Sequence, residues 1–392
     1  MSVTVHSLGC RLNLSESEQL RGVLAGTGNL VVINSCAVTR EAVRQTRQAI
    51  RRARRAHPDA RLLVTGCAAE VEREMLAAMP EVDGLVANTA KLDPRAWNVP
   101  AATPRPVERK RYTRAFVQVQ NGCDHACTFC VIPQGRGPSR SRPPADVLRE
   151  VAAHRDAGVN EVVLTGVDLT SWGADLPGAP RLGQLAGAIL ATFPDLPRLR
   201  LSSIDGAEVD DELFDLLAGE ARMMPHVHLS LQSGDDLILK RMKRRHSRGD
   251  AIRLVERLRA RRADLAIGAD LIAGFPTEDE AMHRNTLAIV AELGVVHGHV
   301  FPYSPRPGTP AARMPQVDPA RIRARANALR AAVATERARW LGTLVGTPLC
   351  VLAENDGTGH AANFAPVRLP PGTGAGTLLR ITPRAIVEGM LQ

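Results

Sequence analysis

Strand-sized apolar runs alternate with helical runs along most of this chain, and that alternation restricts the fold to a parallel α/β architecture. The first ninety or so residues carry three such units. "SVTVHSLG", "NLVVINSC" and "ARLLVTGC" read as strands, and "SESEQLRGVLAG", "TREAVRQTRQAIRRARR" and "AEVEREMLAAM" as the helices that follow them. Further on, "RAFVQVQ", "NEVVLTG", "RLRLSS", "HVHLSL", "LAIGADLIAGF" and "VVHGHVFPY" are strand-like. Helical segments from "PADVLREVAAHRDAG" to "EDEAMHRNTLAIVAELG" separate them. Six strands joined by right-handed crossovers curl into a partial (βα)6 barrel. "DPARIRARANALRAAVATERARWLG" then predicts one long basic helix, and the last fifty or so residues predict a small β-barrel of short strands with Gly/Pro turns. The expected domains are 1–92, a Pro- and charge-rich linker over 93–111, a barrel over 112–316, a connecting helix over 317–341 and a β module over 342–392.

The cysteines fit this frame. Cys10, Cys36 and Cys67 each fall just past the C-terminal end of one of the first three strands. In open α/β sheets that edge is where ligands bind. A lone cysteine is more often packing than a ligand, but three at the same address in consecutive units point to metal or cluster ligation. Cys350, in "GTPLCVLAE", has no such neighbours and is expected to pack in a core.

The chain of 392 residues has room for two or three cores. Its 44% hydrophobic and 23% charged content excludes disordered and collagen-like classes. The longest apolar runs fall short of the ~18 residues of a membrane span, and "MSVTVHSLGC" shows no signal-peptide pattern. A cytoplasmic location follows, where thiols stay reduced, so an odd count of seven cysteines argues for metal or catalytic use. A net charge of +9 suggests a polyanionic partner, with nucleic acid the default. Arg40, Arg44, Arg47, Arg51, Arg54 and Arg55 recur at three- and four-residue steps and share a helix face. Such a stripe reads either as a solvated face or as a surface that tracks phosphates.

In "NGCDHACTFC" the spacing is Cys-x3-Cys-x2-Cys, through Cys123, Cys127 and Cys130. A Cys₃His zinc site using His125 is the competing reading, although His125 is too close in sequence to its neighbours to share a tetrahedron comfortably. Three thiolates fit a four-iron cubane that keeps one iron free of protein ligands.

That loop, after the first strand of a (βα)6 run, resembles the radical S-adenosylmethionine signature, with Phe129 as its usual aromatic. The resemblance implies that S-adenosylmethionine chelates the open iron and is cleaved to a deoxyadenosyl radical. "SLGCRLNLSESE", "VVINSCAVT" and "LLVTGCAA" are similar to the N-terminal motifs of the methylthiotransferases, which carry a second four-iron cluster on three such cysteines. "QNGCDHACTFCVIPQGRG", "VVLTGVDLTSWG", "HLSLQSG", "RMKRRH" and "FPYSPRPGTPAARMP" look most like its MtaB branch. That branch adds a methylthio group to carbon 2 of threonylcarbamoyladenosine, just 3′ of the anticodon in tRNA. The match runs over about residues 2–340. The β module resembles a TRAM domain weakly. Two clusters, S-adenosylmethionine, a tRNA partner and an electron donor such as flavodoxin or ferredoxin are implied. The same chemistry on isopentenyladenosine tRNA or on a ribosomal-protein aspartate is an alternative. A non-catalytic iron–sulfur RNA-binding protein is an alternative of another class.

Further candidates lie at the C-terminal ends of the barrel strands, where barrel chemistry sits. Gly166 is a candidate to expose backbone groups to S-adenosylmethionine, with Thr165 and Asp168 beside it. Ser202, Ser203, Asp205, Ser230, Gln232 and Ser233 are expected hydrogen-bond partners of cofactor or substrate, or else loop caps. Arg241, Lys243, Arg244 and Arg245 are candidates for the cofactor carboxylate or an RNA phosphate. Asp270, inside the fifth strand ahead of Gly274, must be functional or paired.

Overall fold

The computed structural model describes residues 3–98 and 113–392, and the chain forms two compact units. The first takes its described residues from 3–98, 121–140 and 304–312; the second takes them from 113–120, 141–303 and 313–392. The expected α/β class is found in both.

In the first unit β1 (Val3–Ser7), β2 (Leu30–Ser35), β3 (Arg61–Gly66) and β4 (Gly84–Leu85) form a parallel sheet in sequence order. Val31, Ile33, Leu62 and Val64 face one core, and Val5, Leu30, Val32 and Leu63 face another. Both faces are buried, so the strands read as continuous apolar runs. Helix α1 (Arg11–Val23) follows β1, and α2 (Arg40–Ala56) follows β2, capped by the Thr39 side chain on Ala42 N–H. The expected third helix breaks in two: α3 (Cys67–Val71) and a further turn, Arg73–Ala77, meet at Glu72. The expected linker begins inside this unit, because Pro94–Trp97 is a 3₁₀ turn that buries Trp97 in the second core. Residues 99–111 of that linker lie outside the described residues.

In the second unit β5 (Ala115–Gln118), β6 (Glu161–Thr165) and β7 (Arg198–Leu201) pair in parallel. β8 (Ser203–Ile204), β9 (His226–Gln232), β10 (Ala266–Ala273) and β11 (Val295–Pro302) form a second parallel set. β7 and β8 are one strand interrupted at Ser202, so six strand positions follow one another as the sequence predicts. The barrel core includes Val117, Val162, Leu164, Leu199, Leu201, Ala269 and Leu271, packed with helical residues such as Val147, Val151, Leu185, Ile189 and Leu213. Helix Pro319–Leu344, with Asp318 capping two N–H groups, packs along β11.

The C-terminal β module is a six-stranded sheet over Leu349–Leu391. Its hairpin Leu349–Ala353/Thr358–Ala361 lies against the barrel strands: Arg198 donates to the Cys350 carbonyl at 2.7 Å and Arg200 to the Ala362 carbonyl at 3.0 Å. Cys350 is corrected here. Leu349 and Val351 face the small core, whereas the Cys350 side chain is exposed, as strand alternation requires. Among the described residues no helix is long and apolar enough to cross a membrane.

Candidate active site

All six cysteines of the two motifs fall in the first unit. The loop 121–140 leaves the barrel sequence and packs with the N-terminal sheet.

Because β1, β2 and β3 are adjacent and in register, with Ser7 opposite Asn34 and Ser35 opposite Gly66, their following residues meet at one edge. Gly9, at φ +89°, brings that turn over Cys36; a Cβ there would stand 2.5 Å from the Cys36 Cβ. Asn13 fastens the turn by donating to Leu8 O at 2.7 Å and Ser35 O at 3.0 Å, and Asn34 donates to Asn13 O at 2.9 Å. Cys36 and Cys67 are buried and Cys10 is exposed. Burial pushes the Cys36 thiol up to about 12, with the neighbouring Cys67 and Cys10 adding to it, and burial also raises Cys67.

The charges beside these thiols show what they suit. Lys91, Arg136 and Glu16 form a fully buried knot in which Glu16 takes both cations. Arg136 also donates to Asn13 Oδ1 at 2.5 Å and Asn121 Oδ1 at 2.7 Å, while its Nε is buried without a partner. Two cations against one carboxylate leave a buried positive surplus, which is costly unless an anion lies nearby. Thiolates on a metal cluster supply that charge, and the residues fit such a group.

The second triplet sits in the loop 121–130. Gly122, at φ +74°, turns the chain so closely past Pro138 that a Cβ would lie 1.9 Å from its carbonyl oxygen. Cys123 N–H then donates to Gly137 O at 3.2 Å. His125 N–H points at Cys123 Sγ and Ile132 N–H at Cys130 Sγ, each at 3.4 Å. Amide donors aimed at sulfur suit a metal-held sulfur, which carries charge. Phe129 is half-buried between Thr128 and Cys130. Helix α3, which begins at Cys67, packs on the turn Ile132–Arg136, and Asn88 bridges them by donating to the Gly135 carbonyl. This coupling of the two triplets has no signal in the sequence.

The barrel candidates divide. Gly166 lies against Gln120, whose Oε1 accepts from Val167 N–H at 3.1 Å and Asp168 N–H at 2.9 Å. Close packing on Gln120 is one reason for a glycine there. Ser202 holds a buried hydroxyl without a partner, and Gln232 ends β9 at φ +68°, an uncommon conformation that merits a functional reading. Ser233 is a cap, bonded to Thr286 Oγ1 at 3.1 Å. Arg244 is committed to Asp205 at 2.9 Å and the Ser230 carbonyl at 2.9 Å, while Arg245 meets the same carboxylate at 3.0 Å. Arg241 binds Thr277 Oγ1 at 2.8 Å. Asp270 is paired, between His228 and His299.

The arginine stripe also divides. Arg40, Arg44 and Arg47 line a cavity of about 560 Å³ with Glu72, Met75, Pro305, Arg306 and Pro307. Arg306 is buried and held by Glu72 at 2.5 Å. Among the described residues neither Arg40 nor Arg47 has an ion-pair partner. Arg54 instead spans to Asp83 at 2.5 Å and to the carbonyls of Glu81 and Ala60, and Arg51 faces Glu81 at 3.6 Å. The stripe read as one face therefore serves two ends: three arginines on a cavity, and one locked into the fold.

Residues 117–290 match the family model of the radical SAM superfamily, and residues 2–87 match that of uncharacterized protein family UPF0004. A (βα)6 barrel with this loop defines a radical S-adenosylmethionine enzyme, which implies a four-iron cluster and S-adenosylmethionine. The threonylcarbamoyladenosine tRNA methylthiotransferase MtaB of Rickettsia prowazekii is 44% identical over 402 residues, covering 98% of this chain and 96% of that protein. The tRNA-2-methylthio-N(6)-dimethylallyladenosine synthase of Erythrobacter litoralis is 34% identical, covering 90% and 86%. MtaB of Thermotoga maritima is 32% identical, with the same coverage. The chain belongs to the radical SAM tRNA methylthiotransferase family and is a transferase. A solved structure, the methyltransferase TsrM from Kitasatospora setae, superposes with a TM-score of 0.56 at 17% identity, over 76% of this chain and 68% of that one, a likeness of fold.

Proposed function

We propose that this enzyme attaches a methylthio group to carbon 2 of N6-threonylcarbamoyladenosine, next to the anticodon of tRNA. The near full-length identity of 44% to an enzyme of that name carries the reading. Cys123, Cys127 and Cys130 would hold the cluster that binds S-adenosylmethionine, and Cys10, Cys36 and Cys67 a second one. When bound, these groups supply the electron, the hydrogen-abstracting power, the sulfur and the methyl group. The chain's own residues do the rest. Arg136 and Lys91 balance the charge of the buried thiolates, and Asn13, Asn34 and Asn88 fix the turns that carry them. Arg40, Arg44, Arg47 and Arg306 offer a basic cavity suited to RNA phosphates. Gly166, Asp168, Ser202 and Gln232 remain the candidates for cofactor contacts. A cytoplasmic location and a small flavodoxin- or ferredoxin-like electron donor belong to this reading.

The 34% identity to a dimethylallyladenosine synthase favours a second reading, the same chemistry on isopentenyladenosine. Nucleoside mass spectrometry of tRNA from a deletion strain decides. Loss of 2-methylthio-threonylcarbamoyladenosine alone is expected; loss of the isopentenyl product instead would transfer the assignment.

A further inference from the structure

Three neighbouring barrel strands each place one polar side chain at the same level of the lumen. Alternation fixes their direction. Ala269 and Leu271 of β10 join the core, and Gly298 of β11 faces Val333 of the long helix, so Asp270 and His299 point inward. Register sets Asp270 opposite His299, and His228 opposite Gly268. Gly268 is bare because the His228 ring covers it; a Cβ there would lie 2.3 Å from Nδ1. His228 Nε2 and His299 Nδ1 both donate to Asp270 Oδ1, each at 3.1 Å, with the rings 4.6 Å apart. Burial alone would raise Asp270, but the two imidazole donors outweigh it and hold the carboxyl at about 2. The carboxylate is therefore charged and oriented, and it fixes the His299 proton on Nδ1.

Depth and access differ along this trio. The His228 side chain is 8% exposed and Asp270 19%, whereas His299 is 62% exposed. Below it the lumen is filled by His226, His297 and Arg200 packed around Phe364 of the C-terminal module. Above it β9 continues through Ser230 and ends at Gln232 with its positive φ. His299 is thus the open member of an anchored set, its Nδ1 held by Asp270 and its ring otherwise exposed. With Nδ1–H committed to Asp270, the imidazolium form of the ring offers Nε2–H as a charged donor, which is what an anionic group entering the barrel requires.

We propose that His299, buttressed by Asp270 and His228, reads the carboxylate on the threonyl arm of the substrate nucleoside and so sets specificity against neutral N6-substituents. The proposal rests on the substrate assignment made above. It routes no bond-breaking step through the trio; His299 determines specificity, and Asp270 and His228 position it.

The test uses the reconstituted full-length enzyme and two anticodon stem–loop RNAs. One carries N6-threonylcarbamoyladenosine; the other is identical but has the threonyl carboxylate converted to a primary amide. Wild type should favour the acid in kcat/KM by about 10- to 100-fold, the range of a charge-assisted hydrogen bond. His299→Ala should bring the ratio close to one, mainly through KM for the acid. Asp270→Asn should lower it in the same direction, because the ring loses its anchor. The ratio within each variant cancels general damage to cluster loading or folding. A wild-type preference that survives His299→Ala overturns the proposal. So does a wild type that converts both RNAs equally, although the substrate assignment would then stand. Conversion of an isopentenyladenosine stem–loop and of neither threonyl RNA would remove both. A stoichiometric divalent ion other than iron, present in wild type and lost in His299→Ala, would make the trio a metal site and overturn the proposal as well.

Discussion

Arg136 grips Glu16 with both guanidinium arms, Nη1 to Oε1 at 2.8 Å and Nη2 to Oε2 at 3.2 Å, across 120 residues of sequence. The pair ties the loop of Cys123–Cys130 to the helix that follows Cys10. Lys91 adds a second cation to the same carboxylate. Burial raises Glu16, but the two cations outweigh it and hold the carboxyl below its ordinary range. Glu16→Gln would leave two buried cations with a neutral partner. Removing one member of a buried ion pair costs about 3–5 kcal/mol. The urea midpoint of the apoprotein should fall accordingly, and iron retention should drop; an unchanged midpoint would show that the knot is solvated.

Glu161 makes a comparable knot in the barrel, with Arg114 at 2.9 Å, Arg200 at 2.8 Å and Arg198 at 3.2 Å. Burial raises this carboxyl, but the three guanidiniums outweigh it and lower it to about 2. A depressed carboxyl stabilises the fold fully above its ordinary value of 4.5, and that contribution is lost as pH falls from there towards 2. The shift corresponds to at most about 3 kcal/mol. Urea midpoints should therefore fall most steeply below pH 4.5 in wild type. Glu161→Gln, less stable at neutral pH, should lose less over the same window. Parallel curves would assign the acid loss to other groups.

Buried parallel strands must be apolar throughout, so Leu30–Ser35, Arg61–Gly66 and the barrel strands stood out in the sequence. The six cysteines were legible through their spacing and their place at strand ends. The ion pairs were not: Glu16 meets Arg136, and Asp205 meets Arg244, only through the tertiary fold. That is why the cations of "RMKRRH" read as candidates for the cofactor carboxylate or an RNA phosphate. For Arg54 the helical period gives a face but not what lies opposite it, here Asp83 and the Glu81 carbonyl. Cys350 did carry a signal, since it stands between two inward residues of a strand and so points away. Of the trio only Asp270 stood out in the sequence, as a strand charge that must be functional or paired; its meeting with His228 and His299 depends on register.

Iron content tests the two sites. Anaerobically reconstituted protein should hold about eight iron atoms, as two cubanes require. Cys123→Ala, Cys127→Ala and Cys130→Ala should each abolish S-adenosylmethionine cleavage while keeping about half of the iron. One zinc and no iron would be incompatible with this site.

The cavity lined by Arg40, Arg44, Arg47 and Arg306 should bind RNA phosphates. Each phosphate neutralised contributes about 0.7–0.9 to the slope of log affinity against log salt. Arg40→Glu with Arg47→Glu should weaken tRNA binding and flatten that slope by roughly 1.5–2. Arg54→Gln should instead lower thermal stability, because it removes a tie to the Asp83 turn. Equal effects of both changes on RNA affinity would return the stripe to nonspecific charge.

The two cysteine triplets should separate by role. Cys36 is buried beneath Gly9, and Cys67 starts helix α3 beside Gly135, so neither lies in the loop that carries Cys123, Cys127 and Cys130. A soft, thiolate-held metal with an open position is the natural place to hold a sulfur awaiting transfer. If, as proposed, the loop triplet carries deoxyadenosine formation, that activity should persist at a measurable rate in Cys36→Ala. Methylthio insertion should stop, because the sulfur has no site. The assay is the product yield on threonylcarbamoyl-modified tRNA beside deoxyadenosine release in the same reaction. Cys36→Ala protein that still makes the methylthio nucleoside at near wild-type yield would place the sulfur elsewhere. Parallel loss of both products would instead show that the triplets, joined through Arg136 and Glu16, fold as one unit and fail together.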